Sequence, residues 1–174
     1  DKDKGSMTAS DWFSEGVKCF NVPDGIGAVR ALEAVIKIDP AYRHTDGDNP
    51  YFYLGKIAEI EGRIDDGIVL YSRALALDTH DEESLIGRGS CYTVTKDHDL
   101  AIADFTKVLE IPPQNRNAPL QHLFYAIAEN YRQKQDYSNA LTWGDKALSE
   151  EPDNARHQQL VADVRKLMGG HSEN

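Results

Sequence analysis

Residues 12–16, Trp-Phe-Ser-Glu-Gly, open a block of sequence that the chain uses four times. The block returns as Tyr-Phe-Tyr-Leu-Gly at 51–55, Leu-Ile-Gly-Arg-Gly at 85–89 and Phe-Tyr-Ala-Ile-Ala at 124–128. The starting positions are 39, 34 and 39 residues apart. A period of roughly 20 to 50 residues is typical of repeat proteins, whose units stack on one another. The block therefore predicts a repeat fold.

Further markers follow each block at the same intervals. Each unit has a small residue, and four positions after it a second marker, which is aromatic in two of the four units. Three of the units end at a proline. A repeat of about 34 residues with W-x2-L-G-x2-Y, A-x3-F and P markers is the tetratricopeptide signature. On these markers, the chain resembles the tetratricopeptide repeat family from about residue 9 to residue 154. The markers are Ala28 and Leu32, Gly67 and Tyr71, Ala101 and Phe105, Ala140 and Gly144, with Pro40, Thr79, Pro113 and Pro152.

The resemblance implies an all-α superhelix, a tetratricopeptide solenoid of about nine antiparallel helices. Because the unequal intervals resolve into one constant repeat plus two short insertions, we expect local distortion of the superhelix at each insertion. Residues 1–8 are interpreted as a disordered tag remnant. The repeats are expected at 9–42, 48–81, 82–115 and 121–154, with the insertions at 43–47 and 116–120.

An amphipathic segment follows the fourth repeat. Residues 155–168 carry Leu160, Val164, Leu167 and Met168 at helical spacing. A solenoid needs a terminal helix of this kind because its last repeat would otherwise expose an apolar face. We therefore predict a capping helix over 155–168, ended by the glycines at 169 and 170, and a disordered tail over 169–174.

Composition limits the classes of partner. The net charge of -10 argues against nucleic-acid binding, which depends on Lys and Arg neutralising phosphates. No apolar run approaches the roughly 18 residues that cross a bilayer, so we expect no direct membrane insertion. Without a signal-peptide pattern, a cytoplasmic location is expected. Cys19 and Cys91 lie in different repeats and are expected to be two separate buried thiols.

The sequence offers no convincing catalytic or metal-binding motif. The six histidines are scattered, and none pairs with another at metal-site spacing. Residues 97–99, Asp-His-Asp, fit the capped start of a helix, and His44, Asp46 and Asp48 fit an ordinary polar loop. No phosphate loop or nucleophile elbow occurs. We predict no catalytic residue, no metal and no cofactor.

The resemblance implies a binding groove lined by the first helix of each repeat. Repeats one and two would supply apolar anchoring, and charged residues would set orientation. For Phe13, Phe52 and Tyr125, packing against a neighbouring helix explains an aromatic residue as well as contact with a ligand does. If Phe13 and Phe52 bind the partner, their replacement with Ala should weaken binding and leave stability nearly unchanged. The groove residues carried over from the family are Phe13, Val17, Phe20, Phe52, Lys56, Glu59, Ile86, Tyr125, Glu129 and Arg132.

One specialised ligand of the family can be tested directly. Domains that hold the C-terminal carboxylate of heat-shock chaperones use two Lys, two Asn and one Arg on the first helices. Neither alignment of the repeats supplies the full array of charge-assisted hydrogen bonds that holds a carboxylate, so we do not expect chaperone tails as partners. The matching positions hold Phe13, Val17, Tyr53, Glu83 and Gly87, or, one repeat later, Phe52, Lys56, Gly87, His122 and Ala126.

Three functions remain open at this stage. The leading hypothesis is a non-catalytic scaffold or adaptor that binds a peptide or helix of a partner protein in the groove. The second is a self-assembling scaffold or assembly chaperone, which would make the chain a homo-oligomer. The third is a module of a longer protein whose catalytic domain lies elsewhere.

Overall fold

The chain folds entirely into helices over the residues that the structure describes. A computed structural model describes residues 6–22 and 24–170, and within them lie nine α-helices, a short 3-10 turn at Pro113–Asn115 and no strand. The prediction of an all-α fold with about nine helices is confirmed. The helices are α1 Ala9–Asn21, α2 Gly25–Ile38, α3 Pro50–Ile60, α4 Ile64–Leu77, α5 Glu82–Thr95, α6 His98–Glu110, α7 Leu120–Gln133, α8 Tyr137–Glu150 and α9 Ala155–Gly170.

The turn between the two helices of a repeat has the same hydrogen bond in all four repeats. The backbone N–H of the residue that caps the second helix donates to the carbonyl five residues earlier. The residue before the cap is left-handed in three of these turns, at Gly62, Lys96 and Gln135, with φ of 76°, 67° and 64°. The sequence period is thus also a structural period. The pairs are Asp24 to Cys19 at 3.0 Å, Arg63 to Ala58 at 2.8 Å, Asp97 to Tyr92 at 2.9 Å and Asp136 to Tyr131 at 3.0 Å.

Short polar side chains fix where several helices begin. Thr8 and Asp11 form a reciprocal capping box at α1, and the Asn49 carboxamide accepts the Phe52 N–H at 3.1 Å to start α3. Such caps satisfy N–H groups that lack a partner within the helix. Thr8 therefore belongs to the fold, which corrects its assignment to a disordered remnant, and residues 1–5 of that remnant lie outside the described residues.

Helix packing divides the chain into two compact units, Asp1–Cys91 and Tyr92–Asn174. In the N-terminal unit α1 packs on α2, α3 on α4, and α2 on α3. The helices of each pair approach closely because small residues lie at their crossings. A Cβ atom on Gly16 would lie 2.8 Å from Cγ of Leu32, and one on Gly55 would lie 3.0 Å from Cδ1 of Tyr71. The core is formed by Phe13, Ala28, Leu32, Val35, Leu54 and Ile57.

In the C-terminal unit α6 packs on α7, α7 on α8, and α8 on α9. Leu160 and Val164 of α9 are buried in one cluster with Ala128 and Ala140, as a capping helix requires. Val161 packs where the fourth repeat has Gly144 in place of a large residue, since a Cβ there would lie 3.1 Å from Val161 Cγ2.

The end of α9 differs from the prediction in two respects. The helix continues through Gly169 to Gly170, so the glycines do not end it at 168. Leu167 and Met168 each keep 38% of their surface exposed, and therefore contribute less to the cap than Leu160 and Val164 do. Residues 171–174 of the predicted tail lie outside the described residues.

The two predicted insertions are held by arginines. Arg43 pairs with Asp78 at 2.7 Å, and the His44 N–H donates to the Asp48 carbonyl at 2.7 Å, which closes the first insertion into a loop. Arg116 donates to the carbonyls of Leu109 and Ile111 at 3.4 Å each. Local distortion of the superhelix at these junctions stays a prediction.

The two thiols differ in environment. Cys91 is buried, which raises its pKa to about 11, whereas Cys19 is only partly buried. The expectation of two buried thiols is therefore wrong for Cys19, and both cysteines are free. Within 6–22 and 24–170, no helix combines the length and the apolar character that a membrane crossing needs.

Candidate functional site

A row of aromatic rings lies on the first helices of the N-terminal unit. Tyr53 of α3 is in the middle, with its ring centroid 5.3 Å from that of Phe20 on α1 and 5.1 Å from that of Phe52. Both neighbours meet Tyr53 edge to face, the arrangement that aromatic pairs favour. All three rings are only partly buried. We call Phe20, Tyr53 and Phe52 the aromatic row.

Phe13 lies behind this row and not in it. Its ring lies 5.8 Å from Tyr53, 5.3 Å from Tyr42 and 5.5 Å from His44, and only 3% of its surface is exposed. It belongs to the hydrophobic core of the N-terminal unit. The prediction that Phe13 contacts a partner is therefore corrected, because the first insertion folds His44 over it.

Carboxylates surround the polar end of the aromatic row. The Tyr53 hydroxyl donates to Asp48 Oδ2 at 2.7 Å. Burial, then that hydrogen bond, and then the negative charges of Asp48, Glu83 and Asp46 raise the Tyr53 pKa. Glu83, in the first turn of α5, is exposed, yet partial burial and then the charge of Asp48 raise its pKa as well. Asp48 therefore binds the Tyr53 hydroxyl, and Glu83 adds negative charge to the same region.

Lys56 and Glu59 pair with each other on α3. Lys56 Nζ lies 3.2 Å from Glu59 Oε2, and the same carboxylate oxygen accepts the Tyr71 hydroxyl at 2.7 Å. Burial and then this hydrogen bond raise the Tyr71 pKa. Lys56 is 42% exposed and Glu59 26%, so both keep surface to offer a partner. The structure brings these two predicted groove residues together as an ion pair.

The other predicted residues of the N-terminal unit have more modest positions. Val17 is partly buried against the core, as are Phe20 and Tyr53. Ile86 of α5 is also partly buried. Both still leave some apolar surface near the first helices.

In the C-terminal unit the capping helix covers the predicted Tyr125. The Arg156 guanidinium lies 5.0 Å above the Tyr125 ring, and the His157 ring centroid is 5.4 Å away. A cation over an aromatic face is attracted to the ring electrons. Tyr125 is thus partly occupied by α9, and packing accounts for much of its surface.

Glu129 and Arg132 form a second intrahelical pair. Arg132 Nε donates to Glu129 Oε2 at 2.8 Å, and Gln133 donates to Glu129 Oε1 at 3.0 Å. Burial opposes ionisation of Glu129, but these hydrogen bonds prevail and hold its pKa below the usual value. With Tyr125 and Arg156 the pair lines a cavity of about 380 Å³.

The two histidines that were considered as metal ligands, His98 and His44, form hydrogen bonds with other side chains. His98 Nδ1 lies 2.8 Å from Asn130 Oδ1, and His44 Nδ1 lies 2.7 Å from Asp46 Oδ1. In the part of the chain that is described, no three His, Cys, Asp or Glu side chains are grouped so as to hold a metal ion.

Sequence reasoning missed three residues of this surface: Tyr53, Asp48 and Glu83. The sequence pattern marks Tyr53 only as a position of the chaperone-tail clamp, and Asp48 only as part of a polar loop. Their adjacency follows from the first insertion, which brings Asp48 to the Tyr53 hydroxyl. Glu83 is likewise marked only as a position of that clamp, and the signal for it is its place in the first turn of a first helix of the predicted groove.

Comparison with known proteins supports the repeat assignment. The family model described as tetratricopeptide repeat matches residues 82–115. Among curated proteins the chain is similar to the peptidyl-prolyl cis-trans isomerase FKBP4 of Rattus norvegicus, 33% identical over 98 residues, which are 53% of this chain and 20% of that protein. The Mus musculus protein of that name is 44% identical over 50 residues, 29% of this chain and 11% of that protein. The chain spans about a fifth or less of the length of these relatives.

Solved structures share the fold over most of the chain. A crystal structure of MamA protein has a TM-score of 0.78 at 21% identity and covers 92% of this chain and 82% of its own. A tetratricopeptide repeat protein from Parabacteroides merdae has a TM-score of 0.77 at 23% identity, with 95% of this chain and 62% of its own covered. At these identities the likeness establishes the fold alone.

Proposed function

Because the chain is a tetratricopeptide repeat protein, we propose that it is a non-catalytic scaffold that binds a segment of a partner protein on the first helices of its repeats. The observation that carries the proposal is the aromatic row, in which three large rings from α1 and α3 stay partly open to solvent. Contiguous apolar surface of this kind is typical of an interaction site.

The surroundings of the row also favour a protein ligand. The Lys56–Glu59 pair lies on the same helix as Phe52 and offers both a hydrogen-bond donor and an acceptor. An apolar anchor with polar groups beside it suits an extended or helical segment, which presents side chains and backbone polar groups together.

Selection from a random peptide library tests the proposal for a partner segment of any sequence. A phage-displayed library of random dodecapeptides would be selected on the purified chain, and the enriched peptide measured by isothermal titration calorimetry. We expect Phe52→Ala to weaken its binding at least about tenfold, as the loss of an aromatic anchor does.

The matched control is Val69→Ala on the second helix α4, where Val69 is 53% exposed. Its affinity should equal that of the parent chain. Peptides that bind Phe52→Ala as tightly as the parent would contradict the proposal, because the aromatic row would then take no part in binding.

Self-association is a second candidate, favoured by apolar side chains that flank the first inter-helix turn. Val22 is 61% exposed and Ile26 80% exposed. Size-exclusion chromatography with light scattering over a wide concentration range separates the two functions. A mass that rises with concentration, and that Ile26→Asp returns to the monomer value, would support self-association; a constant monomer mass would exclude it.

A further inference from the structure

We propose that the partner segment is basic, and that a Lys or Arg side chain of it lies along the aromatic row with its charged end between Asp48 and Glu83. The inference rests on the proposed function and names the chemistry of the ligand. It follows from the arrangement of groups around Tyr53.

Tyr53 lies where the aromatic row meets the acidic groups. Its ring meets those of Phe20 and Phe52 edge to face, while its hydroxyl donates to Asp48. One side chain therefore joins the apolar surface to the carboxylates. Lys and Arg have an aliphatic stem and a charged end, so they match a surface on which rings lead to carboxylates.

Negative charge predominates around the Tyr53 hydroxyl and Glu83. Asp48, Glu83 and Asp46 act on the hydroxyl. At Glu83, the charges of Asp48, Asp81 and Glu82 outweigh the opposing charge of Lys56. Lys56 itself is in contact with Glu59 at 3.2 Å. Within 6–22 and 24–170, no ion pair joins a cation to Asp48 or Glu83, whereas the neighbouring Asp78 is paired with Arg43.

The Glu83 carboxylate is partly desolvated and lies in a negative field. Burial is the main cause of its raised pKa, and the charge of Asp48 is the next. A carboxylate that has lost part of its water and lies near a second one gains more from an approaching cation than a fully hydrated carboxylate does. The surface around Asp48 and Glu83 therefore favours the binding of a cation.

The overall charge of the chain disfavours another occupant. A second copy would also carry a net charge of -10, so its approach to this acidic surface is opposed by repulsion. An acidic segment would meet the same repulsion, and a purely apolar segment would desolvate Asp48 and Glu83 without supplying a cation.

The experiment reads the composition of the peptides selected from the dodecapeptide library. We expect them to carry Lys or Arg next to an apolar residue. Asp48→Asn combined with Glu83→Gln should weaken the enriched peptide at least about tenfold, the loss expected when charge-assisted hydrogen bonds are removed. Replacing the peptide's basic residue with Gln should give a similar loss, and added salt should weaken binding to the parent chain.

The control combines Glu33→Gln and Glu110→Gln, two exposed carboxylates on the second helices α2 and α6. It changes the net charge equally and should leave affinity within about twofold. Equal weakening in both double variants would overturn the inference, because attraction would then be general to the chain. Neutral or acidic peptides that depend on Phe52 would overturn it and leave the proposed function standing. Peptides insensitive to Phe52 would overturn both.

Discussion

A Cβ atom added to Gly87 would lie 2.4 Å from Cζ of Tyr71. The Tyr71 ring also lies 3.0 Å from the corresponding point on Gly55, and none of its surface is exposed. Glycine at 55 and 87 thus leaves the space in which the ring lies and from which its hydroxyl reaches Glu59 at 2.7 Å. This packing fixes the Tyr71 hydroxyl against Glu59, which forms the ion pair with Lys56.

Gly87→Ala should therefore destabilise the N-terminal unit. The added methyl group meets the ring atoms of a fully buried side chain, and overpacking of this kind costs about 1–3 kcal/mol. Urea unfolding followed by circular dichroism measures the loss. Gly25→Ala is the control, because nothing lies within 4 Å of its added Cβ, and it should unfold at the parent concentration of urea or slightly above. Equal midpoints for the two variants would contradict this packing.

The markers of the repeat predict some of these contacts and not others. Gly16 and Gly55 are marker positions, so their closeness to Leu32 and Tyr71 follows from the sequence pattern. Gly87 is not a marker. Its small size is required by Tyr71 in particular, and a single sequence does not reveal which bulky residue turns toward the following helix. The period therefore predicts the helices, while individual contacts between repeats depend on the side chains that happen to meet.

Phe13 and Phe52 should respond differently to replacement with Ala. Phe13 is 3% exposed within the core, so Phe13→Ala should cost about 3–5 kcal/mol of unfolding free energy. Phe52 is partly exposed and touches mainly Tyr53 and Tyr71, so Phe52→Ala should cost clearly less and act on peptide affinity. Thermal unfolding of both variants measures this. Equal losses would return Phe52 to the core and remove it from the binding surface.

This difference explains why the candidate site was only partly predictable. Both residues follow the first marker of their repeat, and the pattern treats them alike. The structure separates them because His44 stacks on Phe13 at 5.5 Å, and His44 belongs to the insertion that only the first junction of this unit carries. Tyr125 is likewise covered by Arg156, from a helix outside the repeats.

Asn130 should be a strong determinant of stability in the C-terminal unit. Its amide is 1% exposed, donates to the Ala126 carbonyl at 2.9 Å and to Thr93 Oγ1 at 3.0 Å, and lies 2.8 Å from His98 Nδ1. Asn130→Ala removes these buried hydrogen bonds, which should cost about 2–3 kcal/mol.

The control for Asn130 is Asn139→Ala on the exposed face of α8, which loses a contact with Asp136 at 2.8 Å. It should change the unfolding free energy by about 0.5 kcal/mol or less. The comparison is made by urea unfolding, and a small effect at both positions would mean that water replaces the Asn130 network without loss.

Glu83→Gln should raise stability while it weakens the binding of basic peptides. Burial and the charge of Asp48 raise the Glu83 pKa in the folded chain above its ordinary value of 4.5, so the folded state binds more protons than the unfolded state between these two values. The free energy of unfolding of the parent therefore falls as pH rises through that window. At neutral pH the ionised Glu83 carboxylate lowers the stability of the folded chain. Gln removes the charge, so the variant should lose this part of the pH dependence.

Because Glu83 is exposed, the gain at neutral pH should be about 0.5 kcal/mol or less. Urea unfolding at acidic and neutral pH measures it, with Glu33→Gln, which replaces an exposed carboxylate on α2, as the control variant that should change the unfolding free energy little. A residue retained only for packing would not lower stability in its ionised form. A gain in stability together with weaker peptide binding would mark Glu83 as a binding residue. A charged group that lowers stability is expected at functional surfaces, where activity and stability conflict. A loss of stability with unchanged peptide affinity would instead assign Glu83 to the fold.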